Sequence, residues 1–173
     1  TIPHIQKLFD DGKIGKSEEQ LMTGIISNSL QMITYRSGHS DSGKNVIILS
    51  ADSESILSSE SAAAAFRSQN WNVFSIGDIS SSIDVLFDLE LRKLLSKTWK
   101  SKEGVMIVLV FSQTEEGLKF ISDSFYSVKE KSENNLFIVL SGKTGKKVKI
   151  KGDLSASKLE DILQWSNTKY ENS

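Results

Sequence analysis

Serine hydroxyls, rather than strong acids, bases or metal ligands, hold the positions where this chain could do chemistry. Ser53, Ser55 and Ser58 crowd one apolar-strand exit, and Ser112-Gln113-Thr114 and Ser141-Gly142 follow two others. Serines at such exits serve as turn and N-cap residues, and a helix starting at Ser58 would offer free N–H groups to an anion. Near the N-terminus, Phe9 is separated by nine residues from the pair Glu19-Gln20. By residue type alone, Phe9 suits the apolar side of a short helix, and Glu19 suits a helix start, where a negative charge meets the positive end of the dipole.

The groups usually needed for covalent or metal chemistry are sparse. There is no cysteine, so disulfides, thiolate ligands and a cysteine nucleophile are excluded. His4 and His39 are the only histidines. Either could ligate haem, yet neither sits beside a Ser-Asp arrangement, and no HExxH or paired carboxylates appear. The expectation is a protein that is not an enzyme, with no catalytic residues and no metal site. Gly38–Asn45 (GHSDSGKN) approaches the phosphate-binding pattern G-x4-G-K-[ST], but Asn45 replaces the hydroxyl that would hold Mg²⁺. The run also precedes a strand instead of following one. Lys143–Lys151 carries five lysines in nine residues without interleaved aromatics, which fits a solvated strand edge better than a nucleic-acid groove.

The elements that must position these residues follow from hydrophobic spacing. Ile2, Ile5, Leu8 and Phe9 recur at helical intervals up to Gly12. Ser17 and Gln20 match a capping box opening a second helix, with Leu21, Met22, Ile25, Ile26, Leu30 and Ile33 on its apolar face. Tyr35 to Asn45 reads as a linker. Beyond it, strands are expected at Val46–Leu49, Val73–Ile76, Val105–Phe111 and Leu136–Leu140, with a short edge strand at Val148–Ile150. Helices are expected at Ser58–Gln69, Ile83–Trp99, Glu115–Lys131 and Leu154–Tyr170. This alternation predicts right-handed crossovers and a Rossmann-like (flavodoxin-like) parallel α/β sheet, preceded by a short helical cap. The expected division is a cap segment over residues 1–40 and an α/β domain over 45–173. Ligands of such sheets bind at the carboxyl ends of the strands. Here that edge is made by the turns Ser50–Ser58, Gly77–Ser82, Ser112–Gly117 and Ser141–Gly145.

The same residues carry a resemblance. Phe9-x9-Glu19-Gln20 resembles the Trp-x9-Glu-His signature in the helical cap of cobalamin-binding sensor domains joined to MerR-type regulators. The two N-terminal helices then look like the last two of that family's four-helix cap. Asn70-Trp71-Asn72-Val73 looks like the family's Gly-aromatic-x-Val. Counting back from it places the family's Asp-x-His-x-x-Gly on Ser53-Glu54-Ser55-Ile56-Leu57-Ser58. The resemblance thus puts Ser55 at the cobalt-ligand position, Ser53 at its carboxylate partner and Ser58 at the glycine. Ser112 and Thr114 match the hydroxyl-bearing turn after the third strand, and Ser141-Gly142 the Gly-Gly turn after the fourth. A hydroxyl binds cobalt poorly compared with an imidazole, and the carboxylate that would orient the imidazole is replaced too.

What the resemblance implies is a cofactor site without its metal ligand. Phe9 supplies a flat apolar lid and Gln20 a hydrogen bond from the cap. Glu19, Ser53, Ser55, Ser58, Ser112, Thr114, Ser141 and Gly142 complete the candidate binding set, and the cofactor itself stays unassigned between an altered cobalamin site and haem. The function implied is the effector part of a transcriptional regulator that controls its own oligomeric state and reaches DNA through an N-terminal domain not in this chain. The alternative is a corrinoid-protein-like carrier or methyltransferase partner. Hydrophobic residues at 38% and charged residues at 25% fit a globular protein. With a net charge of −1 the chain has no global field for steering nucleic acid. The longest apolar run, Val105–Phe111, falls short of the roughly 18 residues that span a bilayer, and no leader is visible at Thr1. No membrane partner and a cytoplasmic location are therefore expected.

Overall fold

The computed structural model describes residues 2–34, 43–80, 87–99, 102–129, 134–142 and 150–173. Five strands, β1 (Lys44–Ser50), β2 (Asn72–Asp78), β3 (Val105–Ser112), β4 (Leu136–Gly142) and β5 (Leu154–Ser155), form one sheet in the order β2-β1-β3-β4-β5. Every pairing is parallel. Helices α1 (Ile2–Asp10) and α2 (Lys16–Thr34) precede the sheet. The helices α3 (Ile56–Ser68), α4 (Phe87–Thr98), α5 (Glu115–Lys129) and α6 (Leu159–Glu171) alternate with the strands. This is the Rossmann-like α/β fold that the alternating pattern predicts.

The central strands are apolar throughout because both of their faces are covered. All eight residues of β3 are buried. Val46, Ile48, Ile107, Leu109 and Val139 pack with Ala62, Ala63, Phe66 and Ile162 under α3 and α6. Their alternates, Ile47, Leu49, Val108, Val110, Ile138 and Leu140, pack with Leu91, Leu95, Leu118, Ile121 and Phe125 under α4 and α5. The period-two alternation of side chains thus divides two cores between the two faces. The small side chains of Ala62 and Ala63 let α3 lie close to the sheet. Asn70 ends that helix with φ 64°, a left-handed conformation that asparagine tolerates and glycine adopts freely. The next residue, Trp71, is buried and meets the Phe66 ring edge-on, with centroids 5.2 Å apart.

Two local expectations change. The edge strand is Leu154–Ser155, inside the stretch read as helix, and α6 begins only at Leu159. Backbone donors explain the shift: Asp153 N–H bonds the Ile138 carbonyl and Ala156 N–H the Leu140 carbonyl, so β4 claims them before a helix can. The Asp153 carboxylate also accepts from Ile138 N–H and from Lys129, which secures this edge. Of the strand expected at Val148–Ile150, the first two residues lie outside the described residues and Ile150 is not in a strand. At the start of α2 the cap forms two residues earlier than Ser17/Gln20 and is only the return half of a capping box: Glu18 at N3 reaches back to the N–H of Gly15, at 2.8 Å, while Gly15 has no side chain to cap in exchange. The linker at 35–42, residues 81–86 of the expected fourth-helix region, and 143–149 of the lysine-rich run lie outside the described residues. Lys44 and Asn45, which end the phosphate-loop look-alike, open β1 instead of a helix.

The difference between centre and edge of the sheet is measurable. Ile107 is fully buried in β3, whereas Ile76 on the outer strand β2 is 40% exposed. Ile107→Ala should cost about 2–5 kcal/mol in urea unfolding, and Ile76→Ala less than about 1.5 kcal/mol. Equal losses would contradict the strand order.

Candidate functional site

Parallel strands bring the ends of β1, β3 and β4 together at one edge. Ser50 lies in register with Phe111, and Phe111 with Ser141, while Ser112 lies beside Gly142. The chain leaves β1 through Ala51 and Asp52, makes a single 3-10 turn at Ser53–Ser55, and enters α3. It leaves β3 through Ser112 and Gln113, with Thr114 capping α5: its Oγ1 accepts from Gly117 N–H at 3.2 Å.

One carboxylate ties these two turns together. Asp52 Oδ1 accepts from Ser55 N–H at 2.9 Å, and Oδ2 accepts from Ser112 Oγ and from Gln113 N–H, both at 2.7 Å. Burial pushes the Asp52 carboxyl up, but the bonds from Ser112, Ser55 and Gln113 outweigh it and hold the carboxyl below its usual value. Ser112 Oγ in turn accepts from Thr114 N–H at 3.1 Å. Small residues make room for this contact. A Cβ on Gly142 would overlap the Ser112 carbonyl oxygen, and one on Gly117 would stand 2.8 Å from Ser112 Oγ. A second buried pair lies one turn into α3, where Ser50 Oγ and Ser59 Oγ are 2.9 Å apart.

Of the sequence-predicted residues, Ser53, Ser55, Ser112, Thr114, Ser141 and Gly142 belong to the turns and strand ends of this edge, whereas Ser58 lies within the first turn of α3, which begins at Ile56 with Ser55 at its N-cap and not at Ser58. Ser55, Ser112 and Ser141 are buried, while Ser53 is exposed. Ser55 Oγ is fully enclosed and finds no hydrogen-bond partner, although its residue stands at the N-cap of α3. Phe9, Glu19 and Gln20 form a separate group at the α1–α2 corner. Lys16 Nζ lies 5.1 Å from the centre of the Phe9 ring and 3.1 Å from Glu19 Oε2, and Gln20 is exposed. Among the described residues no hydrogen bond or ring contact joins this group to the sheet edge. The cap reaches the sheet domain through α2, where Ser27 Oγ donates to Glu60 Oε2 at 2.6 Å, one turn into α3.

The sequence reading missed Asp52, Ser50 and Ser59. An aspartate directly after an apolar strand is a local turn signal, and that much was available. Its bond to Ser112 spans sixty residues and is visible only once the strands are side by side. Of the two histidines, His4 is exposed on α1 and His39 lies outside the described residues. Among the described residues, no group of three or more His, Asp or Glu is placed to hold a metal ion, and no helix is long and apolar enough to cross a membrane.

No family model matches the chain, and no curated protein matches it. Among solved structures it is similar to the monomethylamine corrinoid protein of Methanosarcina barkeri, with a TM-score of 0.66 at 12% identity. The likeness covers 99% of this chain and 78% of that one. At that identity it is a likeness of fold: the chain has the α/β architecture of a corrinoid protein.

The Asp52 contacts set a pH dependence whose sign is fixed. A carboxyl held below its unfolded value stabilises the fold at every pH above that unfolded value, near 3.9, and the contribution is lost as pH falls through the lower folded value. Asp52→Asn keeps the shape and removes the charge. It should lower stability by about 1–3 kcal/mol at pH 7, and the gap to the unaltered protein should shrink below about pH 4. A gap that stays constant with pH would contradict the assignment.

Proposed function

We propose that this chain is an effector module of a cytoplasmic transcriptional regulator, built on a cobalamin-binding-like fold whose cobalt-ligand motif has degenerated. The observation that carries the reading is the carboxyl edge itself. It carries at Ser112 and Gly142 the hydroxyl and glycine that the sequence resemblance assigns to a corrinoid-type site, with Ser55 at the position the resemblance gives to the imidazole. The donor set therefore does not fit histidine-ligated cobalamin. Hydroxyl, carboxylate and backbone groups remain to hold a ligand by hydrogen bonds, while Phe9 stays at the α1–α2 corner beneath Lys16. On this reading the module has no catalytic step, changes its oligomeric state in response to its signal, and reaches DNA through a separate N-terminal domain. Residues 1–40 act as the cap and 45–173 as the ligand-binding part.

The carrier reading, a corrinoid-protein-like methyl carrier or methyltransferase partner, shares the fold. It is disfavoured because methyl carriage depends on a cobalt tuned through its lower nitrogen ligand, and the motif offers none. The coding sequence upstream of Thr1 separates the two: a winged helix-turn-helix supports the regulator, a catalytic barrel the carrier.

Titration with hydroxocobalamin and adenosylcobalamin, followed by the visible spectrum, tests the ligand part of this reading. The purified protein should be colourless and develop no histidine-ligated spectrum. Micromolar binding with such a spectrum would overturn it.

A further inference from the structure

We propose that the outward face of α2 pairs with the same face of a second copy of this chain, in antiparallel order, to form a weak homodimer. Three of the five large hydrophobic side chains exposed among the described residues stand on that face: Leu21 at 66%, Met22 at 40% and Ile25 at 58%. Single exposed apolar residues are ordinary, but these three are neighbours on one helix surface and make a continuous patch. The opposite side of α2 is already in use, where Ser27 bonds Glu60 on α3. The inference deepens the reading above, in which oligomeric state is the output, and rests on that reading only for what the pairing is used for.

The symmetry of the face indicates what covers it. Along α2, Leu21 and Ile25 lie equally far on either side of Thr23, and Ser17-Glu18 mirrors Asn28-Ser29, all four exposed. A twofold axis at the level of Thr23 sets Leu21 of each copy against Ile25 of the other. It also sets Ser17 and Glu18 against Asn28 and Ser29, where the Asn28 amide can donate to their oxygens. Gly24 then meets Gly24 of the second copy. A glycine is a poor helix former in an exposed interior, but nothing lies within 4 Å of the place its Cβ would take, so the two backbones can approach closely.

Charge and area agree with this partner. From Gln20 to Thr34 the helix carries no charged residue, so the face offers nothing to a partner recognised by its charge. Of the two acids in the first turn, Glu18 is the exposed one. Antiparallel order keeps the two Glu18 carboxylates at opposite ends and opposes the helix dipoles, whereas parallel order would bring like charges together. A stable dimer hides about 800 Å² on each partner, and one face of a 19-residue helix supplies less. The dimer is therefore a transient one, with a dissociation constant in the micromolar range.

Sedimentation velocity of the whole chain across the micromolar range, with no cobalamin present, reads the pairing separately from the ligand site. The unaltered protein should pass from monomer to dimer as its concentration rises. Leu21→Lys and Ile25→Glu should each stay monomeric throughout, with urea midpoints close to that of the unaltered protein because both positions are exposed. An equimolar mixture of the two variants should dimerise again, since antiparallel order places the new ammonium of one against the new carboxylate of the other. An unaltered protein that stays monomeric at high micromolar concentration would overturn the proposal and leave the face to a different protein. Dimers that survive both substitutions, or a mixture that stays monomeric, would overturn it as well. None of these outcomes bears on the cobalamin titration, so either reading can fail without the other.

Discussion

The carboxylate of Asp52 is the contact on which the functional edge depends. The backbone ladder between β1 and β3 runs one residue into the turn, where Ala51 N–H bonds the Phe111 carbonyl, and beyond that the two turns need a side chain to connect them. Asp52 supplies that connection by accepting one N–H from its own 3-10 turn and a hydroxyl and an N–H from Ser112 and Gln113. Charge-assisted bonds of this length are the stronger kind, and three of them on one carboxylate leave it little freedom. The glycines at 117 and 142 belong to the same arrangement, since a side chain at either position would press on Ser112. The edge is therefore a built structure, with its shape set by one acid, one serine and two missing side chains.

Much of the architecture was legible because buried parallel strands announce themselves. Val105–Phe111 and Val46–Leu49 are continuous apolar runs, which only a sheet covered on both faces accommodates at that length, and both proved to be inner strands. The end of the chain was harder. Leu154 suits the apolar face of a helix and also the strand position it occupies opposite Val139, and the choice was made by the β4 carbonyls that captured Asp153 and Ala156. The start of α2 shows a similar difficulty at short range: Ser17/Gln20 matches the capping-box pattern, but the helix starts two residues earlier, where Glu18 bonds the N–H of Gly15. For the site, the serines and glycine of the edge were readable from their places after strands. The acid that organises them was not, since its partners lie about sixty residues away.

The cap adds a second level of organisation. Phe9, Lys16 and Glu19 satisfy one another at the α1–α2 corner, and α2 rests on α3 through Ser27 and Glu60. That contact lies one turn from the N-terminus of α3, beside the turn that Asp52 organises.

The coupling between Asp52 and Ser112 tests the account most directly. A double-mutant cycle of Asp52→Asn and Ser112→Ala, read by urea unfolding at pH 7, isolates their interaction from the separate effects of each change. The account predicts that the two losses are not additive, with a coupling of about 1–2 kcal/mol. Additivity within about 0.5 kcal/mol would show that the two turns are held together by something else, and would contradict it.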